Sequence, residues 1–392
     1  METFDTIVVG KGMLGAAAAR YLAADGASVA LVGPDEPSDF RTHSGVFASH
    51  YDSGRITRTI DKDPDWALLA RRSIARYREI EARSGIAFFN EVGCLIASPA
   101  TSDFMARTRA ASREVGADAA DLDAEALRDE FPSLRFPPGY VGLHEVRGAG
   151  TIDARMLVRA QTHLAEAAGA RVVTAVVAAV HDRGSHAEIV TQRGDLIRGA
   201  NVLVATGAFS IDPMLLPRPL DLRVRPRTVL FADLGPEDAD RYADMSSVIR
   251  TGRSEQESFY VLPPVRYPDG TLRIKIGGDP VHHVLDRTAW IADWYRTDGS
   301  PEGAAHLRRH LEALLPDLRP VAWGTKPCVT TYTRSGHPYI GPAGSERVIA
   351  LTGGNGQAAK SSDEIGRLGA LVAAGRSLDQ EGYRCDFAPC FT

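Results

Sequence analysis

The 392-residue chain has few aromatic residues, few cysteines and no surplus of basic charge. Lysine and arginine number 45 against 50 aspartates and glutamates, and the formal net charge is −5 at pH 7. A basic surplus is typical of nucleic-acid-binding proteins, so we expect no nucleic-acid partner. No apolar run reaches the length of a membrane span, and nothing typical of a signal peptide precedes the first predicted strand at Phe4. We therefore expect no membrane association.

The cysteines are too few for a disulfide framework and lack the short spacings that are typical of metal sites. They are Cys94, Cys328, Cys385 and Cys390. No metal is predicted. Few, unpaired thiols favour a reducing compartment, so the expected location is the cytoplasm.

The beginning of the chain has the pattern of a βαβ unit. A β-branched run at residues 4–9 leads into a glycine-rich turn at 10–15, which reads Gly-Lys-Gly-Met-Leu-Gly. The alanine-rich stretch 16–24 predicts a helix, and residues 28–32 predict the next strand. A glycine turn between a strand and a helix predicts dinucleotide binding, although its position does not separate FAD from NAD.

Each residue of the turn has an expected role in this motif. Gly10 permits the sharp bend, Gly12 lets a pyrophosphate approach the backbone, and Gly15 lets the helix pack closely on the strand. Met13 and Leu14 stand at the helix N-terminus, which faces the phosphates.

One common feature of the motif is missing. The second strand usually ends in a carboxylate that binds the adenosine ribose, but Gly33 occupies that position. Asp35, Glu36 or a water molecule would then contact the ribose, or both acids are solvated loop charges. The sequence leaves these alternatives open.

Four further segments carry a resemblance to a known family. They are Ser49-His50 with Arg55-Ile56-Thr57-Arg58, then residues 274–279, 328–341 and 353–362. With the glycine turn, they resemble the D-amino-acid oxidase superfamily, and within it the sarcosine oxidase and N-methyltryptophan oxidase branch. The resemblance extends over nearly the whole chain and implies FAD as the cofactor.

The first of these segments resembles a part of the family's flavin and substrate site. The resemblance places Ser49 and His50 at the cofactor, Arg55 near the flavin and Arg58 at the substrate carboxylate. Taken alone, two arginines three positions apart more often belong to a solvated face.

The second segment contains Lys275, which corresponds to the family's lysine above the flavin ring that activates oxygen. On pattern alone, a lysine between two isoleucines in a strand is expected to face solvent. Asp279 stands where the sarcosine enzymes carry a histidine. An aspartate there would favour a substrate with more positive charge or a different amine geometry.

The third segment resembles the one in which a cysteine is joined to the flavin 8α-methyl group. Cys328 occupies that position, and its spacing to His337 matches the family's. Thr330 replaces the usual tyrosine, and the tyrosine comes at Tyr332. The alternatives are a covalent flavin at Cys328 and a free cysteine packed as a small hydrophobe. Glycine-oxidase-like relatives carry an arginine at the Thr330 position, so its absence favours the sarcosine-type carboxylate site.

The fourth segment resembles the family's last flavin motif, which includes Gly353 and Gly356. Lys360 falls at the second carboxylate-binding position, and the helix there would direct its N-terminus at the flavin C2 carbonyl. On pattern alone, Lys360 is an exposed lysine in a first helical turn, where the helix dipole disfavours a cation.

The chain is predicted to form two domains, because 392 residues exceed the size of a single core. Composition and resemblance predict an α/β fold, α+β overall. We expect a Rossmann-like FAD-binding domain with an interleaved mixed-sheet substrate domain. The FAD-binding domain is predicted to comprise residues 1–88, 150–215 and 327–392. The substrate-binding domain is predicted to comprise residues 89–149 and 216–326.

These assignments predict FAD-dependent oxidation of a secondary or N-substituted amino acid, sarcosine-like, with Arg58 and Lys360 holding its carboxylate. Hydride leaves the α or N-alkyl carbon for flavin N5, the imine hydrolyses, and O2 is reduced to H2O2. The alternatives are a dehydrogenase of the same fold, which passes electrons to a quinone or electron-transfer protein, and a flavin subunit of a heteromeric oxidase. The sequence does not specify which amine is oxidised.

Overall fold

A computed structural model of the protein describes residues 3–392. The strands are β1 (Thr3–Val9), β2 (Val29–Val32), β3 (Gly54–Thr57), β4 (Phe89–Asn90), β5 (Cys94–Pro99), β6 (Ala119–Leu122), β7 (Tyr140–Glu145), β8 (Gly150–Asp153), β9 (Arg171–Val173), β10 (Val177–Asp182), β11 (Ala187–Thr191), β12 (Leu196–Val204), β13 (Leu222–Asp233), β14 (Ser247–Arg250), β15 (Phe259–Arg266), β16 (Leu272–Gly277), β17 (Ala322–Thr333), β18 (Tyr339–Ser345) and β19 (Val348–Thr352). The α-helices are α1 (Met13–Ala24), α2 (Pro64–Ser84), α3 (Asp103–Val115), α4 (Ala124–Glu130), α5 (Ala154–Ala167), α6 (Pro236–Arg241), α7 (Thr288–Tyr295), α8 (Pro301–Leu314) and α9 (Ala358–Ala373).

The first sheet contains the predicted βαβ unit. Strands β9, β2, β1, β12 and β19 lie side by side in that order and run parallel. β2 and the ends of β1 and β12 are buried and apolar, as parallel strands covered on both faces should be. Helices α1 and α9 pack together on this sheet in one apolar core. The predicted Rossmann-like fold is confirmed.

The second sheet has eight strands in the order β17-β13-β16-β15-β14-β5-β7-β6. Its neighbouring strands are antiparallel except β14 and β5, which run parallel. Leu230 of β13 and Ile274 of β16 point to one face, where they pack with Leu307 of α8. Because side chains alternate along a strand, the residues next to them point to the other face. Lys275 is one of these residues.

Strands from two separate parts of the chain form this second sheet, which is the arrangement expected of the substrate domain. β17 pairs with β13 over its whole length, so it belongs to the second sheet although it crosses the boundary predicted at 326/327. The division into FAD-binding and substrate-binding domains stays a prediction.

A small third sheet, β3-β8-β4, carries the segment with Arg55. The helix after it, α2, begins at Pro64 because the Asp63 carboxylate accepts hydrogen bonds from the amides of Asp65 and Trp66. It ends at Gly85, whose φ of 69° closes the last turn. Next to β3, Asp52 contacts Lys275 of the second sheet, and Trp66 of α2 packs in the apolar core of the first.

Buried ion pairs fix α9 against the other helices. Asp363 and Glu364 are both fully buried. Arg20 of α1 binds Asp363 at 2.8 Å, and Arg76 of α2 binds both acids. The beginning of α9, which carries Lys360, is therefore held in one position relative to α1 and α2. No helix within residues 3–392 combines the length and apolar character needed to cross a membrane.

Candidate active site

Two adjoining cavities receive nearly all the residues singled out from the sequence. The smaller, about 190 Å³, is lined by Gly10, Gly12, Met13, Leu14, Ser49, His50 and Gly353. The larger, about 550 Å³, is lined by Met13, Ser49, Arg55, Arg58, Lys275, Cys328, Gly356 and Lys360. Met13 and Ser49 line both cavities, so the two meet at the N-terminus of α1. Gly15 lines neither cavity.

The glycine turn at the smaller cavity has the geometry that a pyrophosphate site requires. Gly10 has a φ of 110°, and a Cβ atom there would lie 2.4 Å from the carbonyl oxygen of Ala205. A Cβ on Gly15 would lie 1.9 Å from the oxygen of Gly10, so Gly15 serves close helix packing. α1 has no capping side chain and no acid in its first turn. Its free N–H groups and dipole fit the phosphates of FAD.

The absence of a ribose-binding carboxylate at Gly33 has a steric explanation. A Cβ on Gly33 would lie 2.6 Å from the backbone nitrogen of Lys11, so no side chain fits there. Glu36 forms a bidentate ion pair with Arg155. Asp35 is 69% exposed and pairs with the ammonium of Lys11. Asp35 is therefore the acid held beside the glycine turn, whereas Glu36 is already committed to an arginine.

Near this turn, the imidazole of His50 faces Gly12, with Nδ1 3.8 Å from where a Cβ on Gly12 would lie. Burial, followed by the charges of Arg155, Arg55 and Lys11, lowers the pKa of His50 to about 3. The ring is therefore neutral at physiological pH and adds no charge to the cofactor site.

Arg55 and Lys275, which both line the larger cavity, meet at the carboxylate of Asp52. The Asp52 carboxylate accepts hydrogen bonds from both cations, and Lys275 Nζ also donates to the Gly54 oxygen at 2.8 Å. Lys275 is 1% exposed, so the expectation of a solvent-facing lysine from its strand pattern is wrong. Burial opposes ionisation of Asp52, but Lys275 and Arg55 outweigh it and hold the pKa of Asp52 below its usual range.

The same burial acts on the lysine. Burial and the nearby charge of Arg55 lower the pKa of Lys275 to about 8, although Asp52 opposes the shift. The Lys275 amine is therefore charged at neutral pH and loses its proton at mildly alkaline pH.

A second group of the same kind joins Arg58 and Lys360. Asp61 Oδ2 lies 3.3 Å from Arg58 Nη2 and 3.3 Å from Lys360 Nζ. Lys360 is 3% exposed and donates to the Trp66 oxygen at 3.0 Å, so the expectation of an exposed first-turn lysine is also wrong. Burial lowers the pKa of Lys360 to about 8 despite Asp61. Two cations that are far apart in the sequence thus converge at one wall of the cavity.

Arg58 keeps a free donor there. Its Nε is buried and has no hydrogen-bond partner among the described residues. A guanidinium with an unused N–H beside a buried ammonium can bind a carboxylate with charge-assisted hydrogen bonds. Glu145 positions the backbone between Arg58 and Asp61 by accepting hydrogen bonds from the amides of Thr59 and Ile60, at 2.7 and 3.0 Å.

Sequence reasoning missed Asp52 and Asp61. Together with the two arginines they form an evenly spaced pattern, Asp-x-x-Arg-x-x-Arg-x-x-Asp, over residues 52–61. Each acid pairs with the arginine three positions away. This spacing is a signal that the sequence does carry.

Cys328 lies half-buried on β17 and lines the larger cavity, with a free thiol. His337 is not part of the cavity. It pairs with Asp63 at 3.2 Å and its ring stacks on Trp66 at 6.1 Å. The Cys328 position is compatible with the predicted flavin link, which stays a prediction.

The N-terminus of α9 also faces the larger cavity. Gly353 and Gly356 adopt positive φ angles of 85° and 73°. A Cβ on Gly353 would lie 2.2 Å from Cγ2 of Thr333. α9 begins with no capping side chain and no acid in its first turn, so its N–H groups are free for a ligand oxygen. The uncapped N-termini of α1 and α9 face joined cavities. This arrangement fits a flavin dinucleotide, whose phosphates are negative and whose flavin ring accepts negative charge on reduction.

One group of potential metal ligands lies outside the cavities. Ligand atoms of Asp65, His337 and Cys385 lie within 4.8 Å of one another. Both Asp65 oxygens already accept backbone hydrogen bonds from Arg384 and Cys385. Burial, with Asp65 next, raises the pKa of the Cys385 thiol. The group therefore ties the C-terminal segment to α2.

A Rossmann-like sheet with a fitting dinucleotide turn and a charged cavity beside it defines a dinucleotide-dependent oxidoreductase. The family model of FAD dependent oxidoreductases, DAO, matches residues 5–371. The chain belongs to this family. FAD as the cofactor and an FAD-dependent oxidoreductase of the D-amino-acid oxidase superfamily are thereby confirmed.

Two relatives are similar over nearly the whole chain. N-methyl-L-tryptophan oxidase of Citrobacter koseri is 24% identical over 385 residues, which cover 95% of both chains. Monomeric sarcosine oxidase of a Bacillus species is 25% identical over 380 residues, which cover 95% of this chain and 93% of the relative.

Solved structures share the fold. NikD, an unusual amino acid oxidase essential for nikkomycin biosynthesis, superimposes with a TM-score of 0.76 at 21% identity, covering 100% of this chain and 98% of NikD. L-proline dehydrogenase from P. horikoshii superimposes with a TM-score of 0.73 at 16% identity, covering 96% and 95%. At these identities the likeness concerns the fold alone.

Proposed function

We propose that the protein oxidises a secondary or N-substituted amino acid with FAD. The observation that carries the proposal is the convergence of Arg58 and Lys360 on Asp61, at the wall of a cavity that joins the dinucleotide turn. Two cations sharing one carboxylate leave a net positive charge for the carboxylate of a substrate. Relatives named for N-methyl-tryptophan and sarcosine support the same class.

The chain's own residues bind and orient the substrate. Arg58 and Lys360 hold the carboxylate, which fixes the rest of the molecule in the cavity and removes much of its translational and rotational freedom. Bound FAD supplies the redox chemistry by accepting the hydride. Oxidation needs the amine in its neutral form, whose lone pair forms the C=N bond as the hydride leaves. Water then hydrolyses the imine to an amine and a carbonyl compound.

Electron transfer to O2 completes the proposed reaction, in which two electrons and two protons give H2O2. Lys275 supports this acceptor because its buried ammonium lies in the cavity beside Arg55. A buried positive charge stabilises the negative charge that develops as oxygen is reduced. Asp52 holds both cations in place and leaves one net positive charge. The four free thiols are consistent with a cytoplasmic location, which belongs to the same proposal.

The test is a peroxide assay with a panel of amines under air. The panel contains N-methyl amino acids, primary amino acids and N-methyl amines that lack a carboxylate. We expect peroxide with the first group, and about 10-fold or greater loss of kcat/KM when the carboxylate is absent. Turnover with an artificial dye but without peroxide would assign the chain as a dehydrogenase. Preference for carboxyl-free amines would contradict the proposed role of Arg58 and Lys360.

A further inference from the structure

A third arginine, Arg225, faces the larger cavity from the second sheet. Arg225 of β13 pairs directly with Thr330 of β17, and Arg227 pairs with Cys328. Directly paired residues of antiparallel strands point to the same face, as do residues two apart in a strand. Arg225 therefore stands on the same face as Thr330 and Cys328, and both Arg225 and Thr330 line the cavity.

Arg225 has no acidic partner in the described part of the chain. Its Nε is buried and unpartnered, and so is Oγ1 of Thr330 directly opposite. Its guanidinium carbon lies 4.9 Å from the ring centroid of Tyr332, a cation–π contact. Arg55 and Arg58 differ in this respect, because each has an aspartate partner. Two neighbouring donors are thus left without acceptors on one wall of the cavity.

The other two arginines of this wall are already engaged. Arg227 donates to the Tyr332 hydroxyl at 3.0 Å and to the Val281 oxygen. Arg250 donates from Nη2 to the Tyr140 hydroxyl at 3.3 Å and packs 5.2 Å from the ring centroid of Phe259, although its Nε is also buried without a partner. Of these three arginines, Arg225 is the one whose guanidinium forms no hydrogen bond with another described residue and that stands opposite the unpartnered hydroxyl of Thr330.

Cations outnumber acids around the cavity. The cations that line it are Arg55, Arg58, Arg225, Arg227, Arg250, Lys275 and Lys360. The acids are Glu255 and Asp279 in the lining, with Asp52 and Asp61 paired to four of the cations. Asp279 Oδ2 accepts a hydrogen bond from the Thr228 amide at 2.8 Å, and burial raises the pKa of Asp279. The preference for a more positive substrate, based on Asp279, stays a prediction, whereas the surplus of cations favours an anionic substrate.

Arg225 is partly exposed, but its Nε is buried without an acceptor, which is costly unless a ligand supplies one. We propose that Arg225 and Thr330 form a second anion site, so that the substrate is an N-substituted amino acid with a second carboxylate. This inference rests on the proposed function. One carboxylate binds at Arg58 and Lys360, and the other, on the side chain or the N-substituent, accepts hydrogen bonds from Arg225 and Thr330.

Matched pairs of substrates test the site, each pair differing only in a carboxylate and its neutral amide. The first pair is N-methyl-L-glutamate and N-methyl-L-glutamine. The second is N-(carboxymethyl)glycine and N-(carbamoylmethyl)glycine. In the wild type, kcat/KM is expected to favour the dicarboxylate of at least one pair by about 10-fold or more.

Substitutions assign that preference to Arg225. Arg225→Gln is expected to reduce the acid-to-amide ratio to about 1, and Arg225→Lys to retain part of it. Arg223→Gln is the matched control because it removes one charge from an exposed position two residues away on the same strand, and it should keep the wild-type ratio. FAD content and unfolding temperature of each variant show that the fold is intact.

Several results would overturn the inference. A wild-type ratio near 1 for both pairs would refute the second anion site while leaving amino-acid oxidation standing. Equal losses for acid and amide in Arg225→Gln would show that Arg225 binds the α-carboxylate instead. If the wild type oxidises no amino acid at all, the proposed function itself fails, and the second site fails with it.

Discussion

Removing one cation of the Arg58–Lys360 pair should weaken carboxylated substrates selectively. The side chains of Arg58 and Lys360 are 12% and 3% exposed, so a carboxylate between them is largely desolvated. Truncating one partner of a desolvated charge pair costs about 2–5 kcal/mol. Since about 1.4 kcal/mol corresponds to tenfold, kcat/KM should fall roughly 30-fold or more in Arg58→Met and in Lys360→Met.

The buried acid between the two cations complicates the double variant. Asp61 is 3% exposed, and with both cations removed its charge would be buried without a partner. The double variant should therefore be made in an Asp61→Asn background, with Asp61→Asn alone as its reference. Because both cations hold one carboxylate, the two losses should be less than additive there.

The assay is kcat/KM for an N-methyl amino acid and for the corresponding carboxyl-free N-methyl amine, with FAD content measured for each variant. Arg223→Met, an exposed arginine outside the cavities, controls for loss of a charge. We expect the amine to be affected far less than the amino acid. Equal effects on both compounds, or no effect on the amino acid, would refute the role given to these cations.

Four further changes test other parts of the site. Gly12→Val should abolish FAD binding because the new side chain would enter the smaller cavity. The fold should be kept, because the nearest atom, Nδ1 of His50, lies 3.8 Å from the new Cβ. Flavin absorbance and circular dichroism check the two expectations. If Cys328 carries the flavin, acid precipitation should leave the flavin on the wild-type protein and release it from Cys328→Ser, whereas free wild-type flavin would contradict the link. Lys275→Met should slow reoxidation of the reduced enzyme by air roughly 100-fold and slow anaerobic reduction much less, as stopped-flow absorbance would show. Lys360 loses its charge as pH rises through about 8, so carboxylate binding should weaken there. The rate of anaerobic flavin reduction at low substrate concentration should therefore fall above about pH 8 in the wild type. In Lys360→Arg this fall should move above about pH 10, because arginine keeps its charge.

Local patterns predicted the strand–turn–helix unit at the beginning of the chain. Gly10, Gly12 and Gly15 act within a single strand–turn–helix unit, so their roles depend on a few neighbouring residues. The absence of a carboxylate at Gly33 was visible in the sequence, but its cause was not. The close approach of the Lys11 backbone becomes apparent only when the strands are assembled.

The substrate site depends on contacts between distant parts of the chain. Lys275 and Lys360 look exposed by strand and helix pattern, and only the family resemblance placed them at the site. Asp52 and Asp61 look like ordinary loop acids until those lysines are brought to them. The register of β13 and β17 places Arg225 opposite Thr330, and the sequence of β13 alone does not specify this register.

The central claim is that an amino acid reduces FAD bound beside Arg58 and Lys360. The direct measurement is to mix the purified holoenzyme anaerobically with an N-methyl amino acid and follow the flavin absorbance. We expect the flavin absorbance to bleach with the amino acid, to bleach about 10-fold or more slowly with the carboxyl-free amine, and to return when air is admitted. Flavin that no amino acid bleaches, or that the carboxyl-free amine bleaches equally fast, would contradict the account.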